Sequence, residues 1–191
     1  VKPALKMQKS FGDSRLAHLL FNLMDLVMES PLRYRFFNPI QSLKAGGIQA
    51  GQVILEVGPG TGFFTIPAAR WVGDEGRVVA MDPHPLAIKQ VAKKVRDVKL
   101  TNVWLIQSDA TNCGLANGLI DLVLLYGVVP SPTLPLDQLL PEMHRVLKPE
   151  GMLAVWTALP WWSPNALTEH GLFAYNGKEK GVYTFERIAD I

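Results

Sequence analysis

The chain has 191 residues, is 48% hydrophobic and 19% charged, and carries a formal net charge of +2. That is long enough for one domain with a real core, and it excludes a disordered chain or one built around a strong polyanion-binding field. One cysteine, Cys113, excludes an internal disulfide and any multi-cysteine metal site, and no apolar run reaches the roughly 20 residues of a membrane span.

The first 50 residues hold seven Lys/Arg against three Asp/Glu, so the basic excess is N-terminal and modest. A chain that starts at Val1 is expected to have lost an initiator Met or a leader. Residues 1–14 read as loose. Leu16, Leu19, Leu20, Leu23 and Val27 then recur at helical spacing and predict a helix from Arg15 to Glu29, stopped by Pro31. It reads as a helix packed on the domain, with a lid over a substrate pocket as the functional alternative. A second short helix or turn is expected from Leu32 to Leu43. There Arg33 and Arg35 are either solvated charges beside an aromatic anchor or holders of an anionic substrate group. Residues 1–45 are therefore read as an N-terminal helical extension, and 46–191 as the main domain.

Val53 to Val57 predicts a short buried strand, and Gly58, Gly60 and Gly62 predict a tight turn after it. A helix follows from Gly62 to Val72, with Pro67 expected to tilt it. Further strands are expected at Arg77–Met81, Val103–Gln107, Ile120–Tyr126 and Met152–Ala158. Ile120–Tyr126 is a continuous apolar run that suits a central parallel strand. Helices are expected at Pro85–Asp97 and Asp137–Leu147, and a further short one after Ser163-Pro164, with Gly171 just past its end. Leu172–Tyr175 and Val182–Glu186 read as a hairpin around residues 176–181. Alternating strand and helix closed by a hairpin predicts a doubly wound, Rossmann-like α/β fold, whose seven-stranded sheet is mostly parallel with one antiparallel strand.

Three strand ends carry chemistry. After the first comes the glycine turn, where a carboxylate, phosphate or ribose can approach the bare backbone and the start of a helix. A dinucleotide-binding turn needs G-x-G-x-x-G, and Phe63 stands where its third glycine belongs. The second strand ends at Asp82, 24 residues after Gly58, where a carboxylate can accept from both hydroxyls of a ribose. The third leads into Asp109, placed to accept from an adenine amine. Each acid alone is equally a loop residue or a helix cap; three such features in order on successive strands form a site.

Val53–Phe64, Val78–Asp82, Gln107–Ala110, Ile120–Val123 and His144–Gly151 resemble the successive motifs of the class I S-adenosylmethionine (SAM)-dependent methyltransferases. They are most similar to the ubiquinone/menaquinone-biosynthesis branch, over about residues 50–158. The resemblance implies a methyl transfer from SAM to a small-molecule acceptor, leaving S-adenosylhomocysteine (SAH). It implies that Gly58, Pro59, Gly60, Thr61 and Gly62 line the methionine and ribose part of SAM, with Glu56 behind them near the amino group. Asp82 would bind the ribose, Pro83 and His84 the adenine face, and Ser108, Asp109 and Ala110 the adenine edge. Tyr126 would approach the methionine moiety or the substrate. Asp121 and His144 read as structural, and Cys113 as a small core or loop residue.

No general base stands out among His18, Tyr34, Tyr126 and His144, so the catalytic residues stay unassigned, and no acidic cluster suggests a metal. The acceptor wall is expected from the N-terminal helices, the loop Gly127–Leu136 and Trp161-Trp162; the tryptophans point to an apolar or aromatic acceptor, or else cap the sheet end. The basic stripe Lys89, Lys93 and Arg96 reads as a solvent face, so no nucleic acid is expected. One cysteine suits a reducing compartment, so a cytoplasmic protein is expected, with a homodimer as one form. A non-catalytic SAM-binding module and a nicotinamide-dependent oxidoreductase are the competing readings. An RNA methyltransferase ranks below them, for want of a separate target-binding domain.

Overall fold

The computed structural model describes residues 38–131 and 134–189. The helix expected over Arg15–Glu29, and His18, Arg33, Tyr34 and Arg35, lie outside the described residues.

The elements run α1 (Pro39–Ala45), β1 (Val53–Val57), α2 (Thr65–Val72), β2 (Arg77–Met81), α3 (Pro85–Asp97), β3 (Val103–Ile106), a 3-10 turn (Ala110–Asn112), β4 (Ile120–Tyr126), α4 (Leu136–Val146), β5 (Leu147–Trp156), α5 (Asn165–Thr168), β6 (Phe173–Glu179) and β7 (Val182–Arg187). The strands form one sheet in the order β3-β2-β1-β4-β5-β7-β6. The ladders from β3 through β5 are parallel, and β7 runs against both of its neighbours. The chain thus reverses its direction across the sheet between β1 and β4, which places a crevice at the carboxyl ends of those strands.

Alternation along each strand separates two buried faces. Leu55, Val57, Val79, Met81, Val123 and Leu125 join one core with Leu139, Leu140, Met143 and Val146 of α4. The intervening Ile54, Val78, Ala80, Leu122 and Leu124 are equally buried on the other face. With both faces covered, β4 has no water-facing side, which is why its sequence is apolar almost throughout.

Several elements differ in detail from the sequence reading. Pro67 is the third residue of a helix that runs from Thr65, and the Ile66 and Ala68 N–H groups on either side of it donate to the Gly62 and Phe64 carbonyls at 3.3 and 2.9 Å, so the helix continues past it. β5 starts at Leu147, not Met152. Ile120 pairs with Leu147 and Leu122 with Met152, so Lys148–Gly151 forms a bulge inside the strand. The hairpin is tighter than expected. Its turn is only Lys180-Gly181, at φ of 47° and 81°, the pair of positive values that suits the twist of two antiparallel strands. The first hairpin strand therefore runs on to Glu179 through an irregularity at Asn176.

Candidate active site

The glycine turn has the backbone that its sequence calls for. Gly58, Gly60 and Gly62 take φ of 68°, 54° and 83°, a region that side chains disfavour. Its ends are tied down: the Gly58 N–H donates to the Met81 carbonyl at 2.8 Å, and the Gly62 N–H to that of Pro59 at 2.8 Å. A Cβ on Gly58 would lie 2.5 Å from Cγ1 of Val128, whereas one on Gly60 would meet nothing within 4 Å. Gly58 is bare because the loop after β4 sits on it. Gly60 is bare beside open space.

A cavity of about 450 Å³ opens here at the carboxyl ends of the strands. Gly58 forms part of its wall, followed by Asp82 and Pro83 after β2 and by Asp109 and Ala110 after β3. The loop after β4 closes it with Gly127, Val128, Pro130, Ser131 and Leu134, and the strand residues Val57 and Met81 complete it. Five residues assigned from the sequence thus come together around one space.

Both acids are held in place. Asp82 Oδ1 accepts the His84 N–H at 2.8 Å. Burial raises the Asp82 pKa above its usual value, and the N–H groups of His84 and Gly60 oppose that shift. Asp109 Oδ1 accepts both the backbone N–H of Thr111 at 2.9 Å and its hydroxyl at 2.8 Å. Local bonds that orient a carboxylate before a ligand arrives reduce the ordering cost of binding.

Glu56 is 2% exposed and stands behind the turn, not in the cavity wall. Thr65 Oγ1 donates to it at 2.5 Å. Burial pushes its pKa to about 7; the Thr65 hydroxyl pulls it down, and the charge of Asp82 adds to the rise. Pro59 and Thr61 are buried within the turn, Gly60 is half-buried, Gly62 packs toward Val91 of α3, and Ser108 is half-buried; none of these five lines the cavity.

Two residues expected at the site stand outside the cavity wall. Tyr126 is turned away from the cavity: its hydroxyl donates to the Ser42 carbonyl at 2.8 Å, and its ring packs edge-on against Phe64. Strand alternation explains this, since Gly127, the next residue, faces the cavity instead. His84 does not line the cavity wall; its Nδ1 accepts the Leu86 N–H at 3.3 Å as the N-cap of α3, and Pro85 follows as first helical residue. Pro83-His84-Pro85 thus launches the helix.

Other residues behave as the sequence suggests. Asp121 accepts the Val53 N–H at 2.7 Å and the Lys148 ammonium at 2.6 Å, at the opposite end of the sheet. A larger hollow of about 560 Å³ lies beside that pair, and Glu150 also lines it. His144 Nε2 lies 2.7 Å from the Ile188 carbonyl. Trp162 packs edge-on against Tyr183 within the core, 4.8 Å between ring centroids, whereas Trp161 is 77% exposed. Neither tryptophan lines the cavity. The sequence reading assigned the loop after β4 to the acceptor and missed that Val128, Pro130 and Leu134 also close the cavity holding Asp82 and Asp109. The proline-rich apolar composition straight after a central strand was the available signal. Among the described residues, no three His, Cys, Asp or Glu cluster as a metal site.

The open space at Gly60, the two oriented carboxylates and the small Ala110 in the same wall fit an adenosyl group. Comparison with known proteins agrees with this chemistry. Residues 54–151 match the methyltransferase domain family. The chain is 31% identical over 180 residues to the ubiquinone/menaquinone biosynthesis C-methyltransferase UbiE of Teredinibacter turnerae, covering 92% of this chain and 70% of that protein. It is 31% identical over 136 residues to the demethylmenaquinone methyltransferase of Lactobacillus johnsonii, covering 70% of this chain and 52% of that one. Across the leading curated relatives, the chain spans roughly half to two thirds of their length. The fold is shared with a SAM-dependent methyltransferase from Aquifex aeolicus, at a TM-score of 0.74 and 23% identity over 88% of this chain and 96% of that one. The chain belongs to the class I SAM-dependent methyltransferases, related to their UbiE branch.

Proposed function

We propose that this chain binds SAM in the cavity lined by Gly58, Asp82 and Asp109 and directs its methyl group to a small apolar or aromatic acceptor. The observation that carries this is the joint placement of Gly58, Asp82 and Asp109 around one cavity, with unfilled space at Gly60. Asp82 would hold the ribose hydroxyls, Asp109 and Ala110 the adenine edge, and the bare turn the methionine part. SAM supplies, when bound, a methyl group already activated on a sulfonium. The chain's own work is to align and to exclude water, and alignment of this kind contributes up to about 7–11 kcal/mol. Val128, Pro130 and Leu134 would keep that space dry. The curated relatives named above act in quinone biosynthesis, which supports a quinol-like acceptor.

A non-catalytic SAM-binding module is the second reading. It is favoured by one observation: the titratable residues described in the cavity wall are Asp82 and Asp109 alone, both already engaged.

Calorimetry with SAM and SAH tests the binding. Micromolar affinity is expected in the native chain and is lost in Asp82→Ala and Gly60→Val; unchanged affinity in both variants would sink the assignment. Thermal shift with NAD(H) should show no effect. Labelled SAM offered with quinols, phenols, amines and lipids then separates enzyme from module, since the module turns over none of them.

A further inference from the structure

Tyr126 sits at a junction that no cofactor contact explains. Its hydroxyl reaches across to α1, 84 residues earlier in sequence, and donates at 2.8 Å to the Ser42 carbonyl in a buried setting. That carbonyl also accepts the Gly46 N–H at 3.0 Å, so the tyrosine completes the C-terminal turn of α1. The fit there is tight: a Cβ on Gly46 would lie 2.3 Å from the Tyr126 hydroxyl. On its other side the ring meets Phe64 edge-on, with centroids 4.8 Å apart, and Phe64 meets Phe63 at 5.1 Å. Those two phenylalanines directly follow Gly62. Along the chain, Tyr126 is followed by Gly127 and then by Val128, the residue that rests on Gly58. One side chain and its immediate successors therefore hold the glycine turn from both ends and tie it to α1.

We infer that Tyr126 is a positioning residue that couples the docking of α1 to the shape of the cofactor turn. It stands outside the cavity wall. It acts through Phe64 on the exit of the turn and through the Ser42 carbonyl on α1. The coupling is reciprocal: a ligand that fixes the turn also tightens α1, and a loosened α1 weakens the ligand. The inference rests on the proposed cofactor site and adds an element outside its wall.

The test uses the full chain and SAH. Tyr126→Phe keeps the ring and removes only the tether. It should raise the SAH dissociation constant, by at most about fivefold, the equivalent of one ordinary hydrogen bond. Phe64→Leu trims the ring contact from the other side and should act in the same direction, which keeps the test open if either variant folds poorly. Phe185→Leu, buried in β7 two strands from β4, serves as a control destabilised without weakened SAH binding. Ser42→Ala keeps the accepting carbonyl and should leave SAH affinity unchanged. Hydrogen exchange supplies the second readout: SAH should slow exchange of the α1 amides in the native chain and fail to do so in Tyr126→Phe. Variants that lose thermal stability as Phe185→Leu does, yet keep native SAH affinity and SAH-dependent protection of α1, would reduce Tyr126 to packing. A native chain that binds no SAH would instead remove the cofactor site, and this inference with it.

Discussion

Thr65 Oγ1 donates a 2.5 Å hydrogen bond to the carboxyl group of Glu56, deep beneath the glycine turn. The bond favours the charged form, while burial and the nearby Asp82 favour the neutral one, and burial wins: the pKa rises from 4.5 to about 7. Between those two pH values the folded chain holds a proton that the unfolded chain has released. Stability therefore falls as pH rises from 4.5 to 7, by about 3 kcal/mol, and stays at the lower level above that. Glu56→Gln removes this dependence. It should be more stable than the native chain at pH 8, with the gain vanishing toward pH 4.5. Thr65→Val should move the fall to higher pH. Urea unfolding at a series of pH values measures both.

Gly58 and Gly60 have similar backbone angles but different surroundings, so the same substitution should act differently at each. Gly58→Ala adds a 2.5 Å clash with Val128 to the strain of a positive φ. It should cost more than the ~1–2 kcal/mol of that strain alone. Pairing it with Val128→Ala should recover part of the loss. Gly60→Ala has no clash to relieve and should unfold close to the native midpoint, within that strain cost, while losing SAH affinity at least about tenfold, near 1.4 kcal/mol. Thermal unfolding and calorimetry on the same samples separate the two effects.

At the opposite end of the sheet, Asp121 accepts from the Val53 N–H and from Lys148. Asp121→Ala leaves that N–H without its acceptor and should cost about 1–3 kcal/mol. SAH affinity should not change. Denaturant midpoints and calorimetry check the pair; a weakened ligand would show that this end reaches the cavity.

Cys113 is a buried thiol whose pKa is pushed up to about 11, chiefly by burial. Thiolate is the reactive form, so the native chain should resist a disulfide reagent at pH 8 and react rapidly once unfolded in urea. Absorbance of the released thiol reports both rates.

The parts of the fold set by local chemistry were readable in advance. β1, β2, β4 and α3 begin and end at the residues that their apolar runs and flanking Gly, Asp and Pro indicate. The cavity wall was readable at Gly58, Asp82 and Asp109 because they follow successive strands in order, and at Pro83 and Ala110 through the family resemblance. Long-range placement was not readable. Nothing near Tyr126 in sequence reveals that Ser42 accepts its proton, and nothing in Pro149-Glu150-Gly151 distinguishes a turn from a bulge inside β5. Trp162 looks the same whether it faces a ligand or Tyr183. Each of these depends on what the rest of the chain brings alongside.

The sheet order separates two jobs. The residues assigned to the adenosyl group come from β1, β2 and β3, on one side of the crevice, whereas the loop that closes the cavity follows β4 on the other. Pro130, Ser131 and Leu134 nevertheless share one cavity with Asp82 and Asp109, so substitutions there should change SAH affinity as well as the shape of what is admitted. In a scaffold arranged this way, whatever closes the loop after β4 also closes the wall that carries the two acids, so donor and acceptor preferences would change together.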